Sequence, residues 1–382
     1  MNRFLHYPVL AFAILLVTGG VADAAPANPQ LLYSFCPDQA HCYAGQEPLG
    51  LVRGHDGAYY GITFHGGVPG GDGVIYRVDP ATRAVSVVHR FDPDSEGYWP
   101  VGWLAIDADG NFYGALLASG ETGFGRIFRL TPGGAFTVLH ASPDNVSHAD
   151  SAPVRDPQGN WYGTMYGYPS SIYRIAADGT FTTLYTFPHD GSDYVSAHGL
   201  VLAPNGYLYG TTAYGGKYHM GTVFRMSRDG AITTLHHFDG AVDGIPLAPL
   251  AIGQDGALYG TGWMDSGSTM FRITLGGRFT MLSHFGTGSS GAIREALTPM
   301  PDGYFYGARL REPNAPIVDT IFRLSPAGEY ATIMTLPLDG SRGSKIHAPL
   351  IRGFDNALYG TAQYGGNYDS GALFRLAPPP VE

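Results

Sequence analysis

Short apolar runs separated by glycine, asparagine and aspartate recur from one end of the chain to the other. Between 199 and 236 the pattern is easily parsed. Gly199-Leu200-Val201-Leu202 reads as a brief strand, Asn205-Gly206 as a tight hairpin turn, and Tyr207 to Thr212 as a second strand. A glycine-rich loop runs from Tyr214 to Gly221. Thr222-Val223-Phe224-Arg225-Met226 then forms a third strand, Arg228-Asp229-Gly230 turns the chain, and Ile232 to His236 forms a fourth. The helical periodicity that ankyrin or tetratricopeptide arrays require is missing.

The unit repeats. A Tyr-Gly pair closes the same phrase at Tyr60, Tyr113, Tyr162, Tyr209, Tyr259, Tyr306 and Tyr359, about every 50 residues. An aromatic residue followed by arginine comes after each: Tyr76-Arg77, Phe128-Arg129, Tyr173-Arg174, Phe224-Arg225, Phe271-Arg272, Phe322-Arg323 and Phe374-Arg375. Four antiparallel strands per period predict an all-β fold, a seven-bladed β-propeller. The seventh unit stops after its third strand, because Leu376 runs into Pro378-Pro379-Pro380, which cannot pair as a central strand. Leu31-Leu32-Tyr33-Ser34-Phe35 has the form of the missing strand. The N-terminal strand, about 31–35, is therefore predicted to close the last blade and remove the open edges. Blades are expected to start near 48, 101, 151, 199, 248, 296 and 349, in one domain spanning 25–382. The repeated tyrosines and arginines read as architecture, the arginine forks bonding carbonyls between blades or stacking on rings.

Leu208-Tyr209-Gly210-Thr211-Thr212, then Gly215-Gly216, then Gly221-Thr222-Val223-Phe224 closely resembles the repeat of the GloVer tandem-repeat family. The likeness runs over about residues 30–377, and the full glycine pair stands at Gly66-Gly67, Gly215-Gly216 and Gly365-Gly366. It implies export and a β-repeat fold. It implies no assigned activity and no catalytic residues.

Composition narrows the function classes. Glycine is 55 of 382 residues, charged residues are 14% and aromatics 13%, which suits a turn-rich core and excludes disorder and coiled coils. Lys+Arg is 22 against 32 Asp+Glu, a net charge of −10, and only Lys217 and Lys345 are lysines. No basic patch is available for nucleic acid or anionic membrane. Arg3, the apolar stretch Pro8 to Val21 and Ala22-Asp23-Ala24 form a secretory signal over 1–24. That stretch is too short to span a bilayer, which needs about 20 apolar residues. A secreted or periplasmic protein follows, with no lipid-bearing cysteine and no C-terminal anchor. Cys36 and Cys42 are expected to pair as a disulfide in that compartment.

Candidate chemistry lies where units depart from their own pattern. The first strand of each blade begins near the axis, where crowding favours small side chains. Eight residues before the turn glycine, or before Asn356 where it is replaced, stand Leu49, Gly102, Ser151, His198, Ala248, Glu295 and Ala348; one earlier stand Pro48, Val101, Asp150, Ala197, Leu247, Arg294 and His347. Asp150, His198, Glu295 and His347 are thus the catalytic candidates, a set that would suit acid–base chemistry or an axial cation. No cofactor is predicted, and Ca2+ is the ion such a set would admit. The second group is aromatic: His65, Tyr98, Trp99, Tyr166, Tyr214, Tyr218, Trp263 and Tyr364 fall in loops on one rim, beside Tyr168 and Tyr368. Tyr and Trp stack on sugar rings, so the leading reading is a monomeric binding protein for a glycan or cell-surface polymer. Alternatives are a platform for a protein partner, or a lactonase-like metal-dependent hydrolase or lyase at the axis.

Overall fold

Blade 4 shows how the pattern becomes structure. Its strands are Ser196–Leu202, Leu208–Ala213, Thr222–Met226 and Ile232–His237, antiparallel and paired in that order. The second strand is buried along its whole length, whereas the fourth is only half-buried or exposed. A sheet sandwiched between two neighbours meets water only along its outer edge, and the gradient follows. The computed structural model describes residues 29–37, 42–68, 71–118, 125–142, 148–149, 151–188, 195–285, 293–309, 319–336, 345–346 and 348–377. Residues 1–24, expected to be a secretory signal, and the axial candidates Asp150 and His347 lie outside the described residues. Among the described residues no helix is present, and so none long and apolar enough to cross a membrane.

Seven four-stranded sheets form a β-propeller. Their first strands are Gln46–Arg53, Tyr98–Ile106, Val154–Arg155, Ser196–Leu202, Ala251–Ile252, Thr298–Pro299 and Ile351–Arg352. In blade 7 the outer strand is Gln30–Ser34, hydrogen-bonded to Ala372–Leu376 as the sequence predicts. Seven apolar clusters fill the seven interfaces between neighbouring blades. The cluster between blades 7 and 1 joins Tyr359 and Leu373 to Tyr59 and Tyr76, with Phe35 beside them. The ring is closed by packing as well as by strand pairing. The Cys36–Cys42 disulfide lies on this seam, between the closing strand and the first strand of blade 1.

The two repeated phrases face each other across strands. Tyr209 pairs with Arg225 and Gly210 with Phe224, and all seven blades share this register. A Cβ on Gly210 would stand 2.5 Å from Cζ of Phe224, and the other six glycines meet their cross-strand rings as closely. The glycine is there to leave room for the ring, which covers it. In six blades the tyrosine hydroxyl donates to an aspartate of the first turn, as from Tyr60 to Asp56 (3.0 Å) and Tyr162 to Asp156 (3.1 Å). The arginines behave differently from the carbonyl bonding expected. Arg77, Arg272 and Arg375 pair with Asp56, Asp255 and Asp355 of their own blades at 2.7–2.9 Å. A carboxylate in the adjacent turn is the better partner for a guanidinium than a neutral carbonyl. Stacking is found at Arg225 over Tyr207 and Arg323 over Tyr304.

Candidate functional site

Antiparallel order sends the loops between second and third strands, and the connectors into the next first strand, to one end of the ring. In blade 4 this loop follows Ala213. Tyr214, Gly215 and Gly216 all have left-handed backbone (φ 60°, 69° and 78°). A Cβ on Gly216 would meet a methyl of Thr222 at 2.7 Å, so the second glycine of the pair is required by space as well as by φ. The Thr212 hydroxyl accepts from the amide of Thr222 (3.1 Å), and the amide of Gly221 donates to the Gly215 carbonyl (3.0 Å). Fixed in this way, Tyr214 and Tyr218 are exposed (43% and 46%), and Lys217 Nζ lies 4.8 Å over the Tyr218 ring.

Trp99 is presented from the start of the first strand of blade 2, Tyr98–Ile106, rather than from a loop. Its backbone is left-handed (φ 57°) and its indole is 38% exposed. The indole lies parallel to Phe64 of blade 1 (6.2 Å, 9°) and edge-on to the half-buried Tyr98 (4.8 Å, 88°). The connector below is braced: His89 Nε2 meets Glu96 at 2.8 Å, and Arg126 donates to the carbonyls of Ser95 and Glu96.

The remaining rim candidates are structural participants to differing degrees. Trp263 is half-buried and exchanges both backbone hydrogen bonds with Ile245 (2.8 and 2.9 Å). Tyr166 does the same with His148. His65 stands edge-on to Phe64. Tyr364 lies under Lys345 Nζ (4.6 Å), and burial with the nearby Glu47 carboxylate raises its phenol pKa. Glu47 itself accepts from Gln363 (3.1 Å), a contact across the seam. Exposed Tyr168 lies in blade 3. The rim thus offers separate aromatic stations, with Trp99, Tyr168 and the Tyr214–Tyr218 loop facing outward.

A second concavity lies on the axis. It has a volume of 430 Å³ and is walled by the first strands and their approaches in six blades. Trp103, Val154, Leu200, Leu247 and Leu250 supply apolar wall, while Ser151, His198, Arg294 and Glu295 supply the polar atoms. Ser196 pairs with Ala213, the residue before Tyr214, so His198 sits just inside the rim. Two of the four axial candidates, His198 and Glu295, therefore share one cavity. Burial, with a smaller contribution from the Arg294 charge, pushes the His198 pKa down to about 4, so the imidazole is neutral. Its Nε2 is buried without a hydrogen-bond partner. Among the described residues no three His, Cys, Asp or Glu side chains gather as a metal site.

Trp103 is the largest of the lining residues that the axial positions read from sequence miss. One position closer to the turn than Gly102, the seven units read Gly50, Trp103, Ala152, Gly199, Pro249, Ala296 and Pro349. A single tryptophan among small residues and prolines was the available signal. Its indole nitrogen donates to the Ala149 carbonyl (3.2 Å), fixing the ring between blades 2 and 3.

Fold and rim together define a seven-bladed propeller with aromatics at one end, His65, Tyr98, Trp99 and Trp263 on strand ends and the others on loops, and a cavity on the axis. The chain belongs to the Gloeobacter/Verrucomicrobia repeat family, whose model matches residues 23–196, 168–315 and 199–381. No curated protein matches the sequence. Among solved structures it is similar to a protein from Lactobacillus plantarum, at 16% identity over 86% of this chain and 91% of that one, with a TM-score of 0.53. Puromycin hydrolase follows at 15% identity, 88% and 51% coverage and a TM-score of 0.52. A gluconolactonase from Xanthomonas campestris aligns at 15% identity over 92% and 97%, with a TM-score of 0.47. Identities this low speak to the fold alone.

Proposed function

We propose that this propeller is an exported binding protein whose loop-bearing rim recognises a carbohydrate or cell-surface polymer. The observation that carries the reading is that Trp99 and Tyr214 are exposed at the rim while held with left-handed backbone (φ 57° and 60°). Bulky residues occupy that region only where the surrounding structure holds them, and such positions cluster at ligand clamps. Sugar rings present apolar faces to flat aromatic surfaces, and a pre-positioned ring loses little entropy on contact. The disulfide supports export, since such bonds persist in oxidising compartments.

Retention on insoluble polysaccharides (cellulose, chitin, xylan and peptidoglycan) tests the reading. One of them should retain the protein, and Trp99→Ala and Tyr214→Ala should each release it at unchanged melting temperature. Failure of every polymer to retain it, or retention indifferent to both substitutions, would contradict the reading and favour a protein partner.

A further inference from the structure

We propose that the axial cavity is a binding site for a small organic carboxylate with an apolar body, its acid group held by Arg294. The site is distinct from the aromatic rim and does not depend on the rim's function. Its volume of 430 Å³ falls in the range of small-molecule sites, roughly 300–1,000 Å³. The wall is built from Trp103, Val154, Leu200, Leu247 and Leu250, which match a hydrocarbon or aromatic ring better than a sugar's hydroxyls.

Charge at the cavity identifies the head group. Arg294 is exposed at the cavity and makes no ion pair or hydrogen bond among the described residues. Glu295, the other charged lining residue, is already engaged in an interaction of its own. Among the described lining residues the uncommitted charge is therefore positive, in a protein whose net charge is −10. A guanidinium fork is the side chain best shaped to take a carboxylate. Close by, the buried Nε2 of His198 has no partner, and native structures seldom leave such an atom unsatisfied. Its neutral ring can hydrogen-bond the ligand without adding a second charge. The Ser151 hydroxyl is shared with Thr164 (2.8 Å) and belongs to the wall.

Calorimetric titration of the full chain with phenylacetate, phenylacetamide and glucuronate tests the proposal. Phenylacetate should bind saturably, and the neutral amide should bind at least about tenfold more weakly, as loss of a charged hydrogen-bond partner implies. Arg294→Gln should weaken phenylacetate by a similar factor, and Leu247→Trp, which fills the cavity, should abolish binding, both at unchanged melting temperature. The acid–amide comparison uses the unaltered protein, so it stands even if a variant misfolds. No saturable binding of phenylacetate, equal binding of acid and amide, or tighter binding of glucuronate would each overturn the proposal.

Discussion

Asp156 shows how much one side chain organises in this ring. Its carboxylate accepts from the amides of Gln158 and Asn160, the Asn160 side chain and the Tyr162 hydroxyl, with Arg228 of blade 4 at 3.4 Å. Burial raises its pKa, but these donors more than offset that and hold it below the usual carboxylate range. Asp156→Ala leaves the buried Tyr162 hydroxyl and several partly buried donors unmet and should cost about 2 kcal/mol by chemical denaturation. His198 titrates against the fold instead. Its pKa is about 4 in the native protein against 6.5 for the ordinary group, so only the unfolded chain takes up the proton between those values. Stability should be untouched by this group above about pH 6.5 and fall by about 3 kcal/mol as pH drops to about 4. His198→Gln should flatten that slope in a pH series of denaturation curves. His198 is legible in sequence as a polar residue at a position that is small or apolar in most units. Whether it converges with Asp150 is not legible, because spacing within a blade says nothing about distances across the axis.

Within a blade, the strands follow the repeat closely, and the reason is steric. The Tyr-Gly pair and the aromatic-Arg pair are cross-strand neighbours, so each phrase makes sense only opposite the other. Gly210→Ala places a methyl 2.5 Å from the Phe224 ring and should destabilise by about 1–3 kcal/mol, measured as a shift in denaturation midpoint. By contrast, Gly256→Ala adds a Cβ with nothing within 4 Å; its cost comes only from the left-handed backbone (φ 73°). The bulge between the two outer strands, found in all seven blades, has no sequence signal. It falls just before the ring that covers the glycine, as at Val223–Phe224, where the outer strand must bend away. First strands also escape the pattern. They are two residues long in blades 3, 5, 6 and 7, yet eight, nine and seven in blades 1, 2 and 4. Their apolar composition suits an axis but does not say how far pairing extends.

At the scale of the whole molecule, closure and function separate. Ring closure was legible because the seventh unit lacks a strand and the N-terminus carries one of the right form. Seven interfaces of similar apolar content then hold the ring and make it a rigid frame. The proposed sites use what the repeats do not share: Trp99 and Tyr218 at the rim, Trp103, His198 and Arg294 at the axis. If the rim aromatics meet a polymer, the tryptophan fluorescence of the protein responds to it. Trp103 and Trp161 are buried and Trp263 half-buried, so Trp99 should dominate quenching by acrylamide. Adding oligosaccharides of the polymer that retains the protein should protect the indole from quenching, and Trp99→Phe should remove most of the quenchable signal. Undiminished quenching at saturating oligosaccharide would contradict the account.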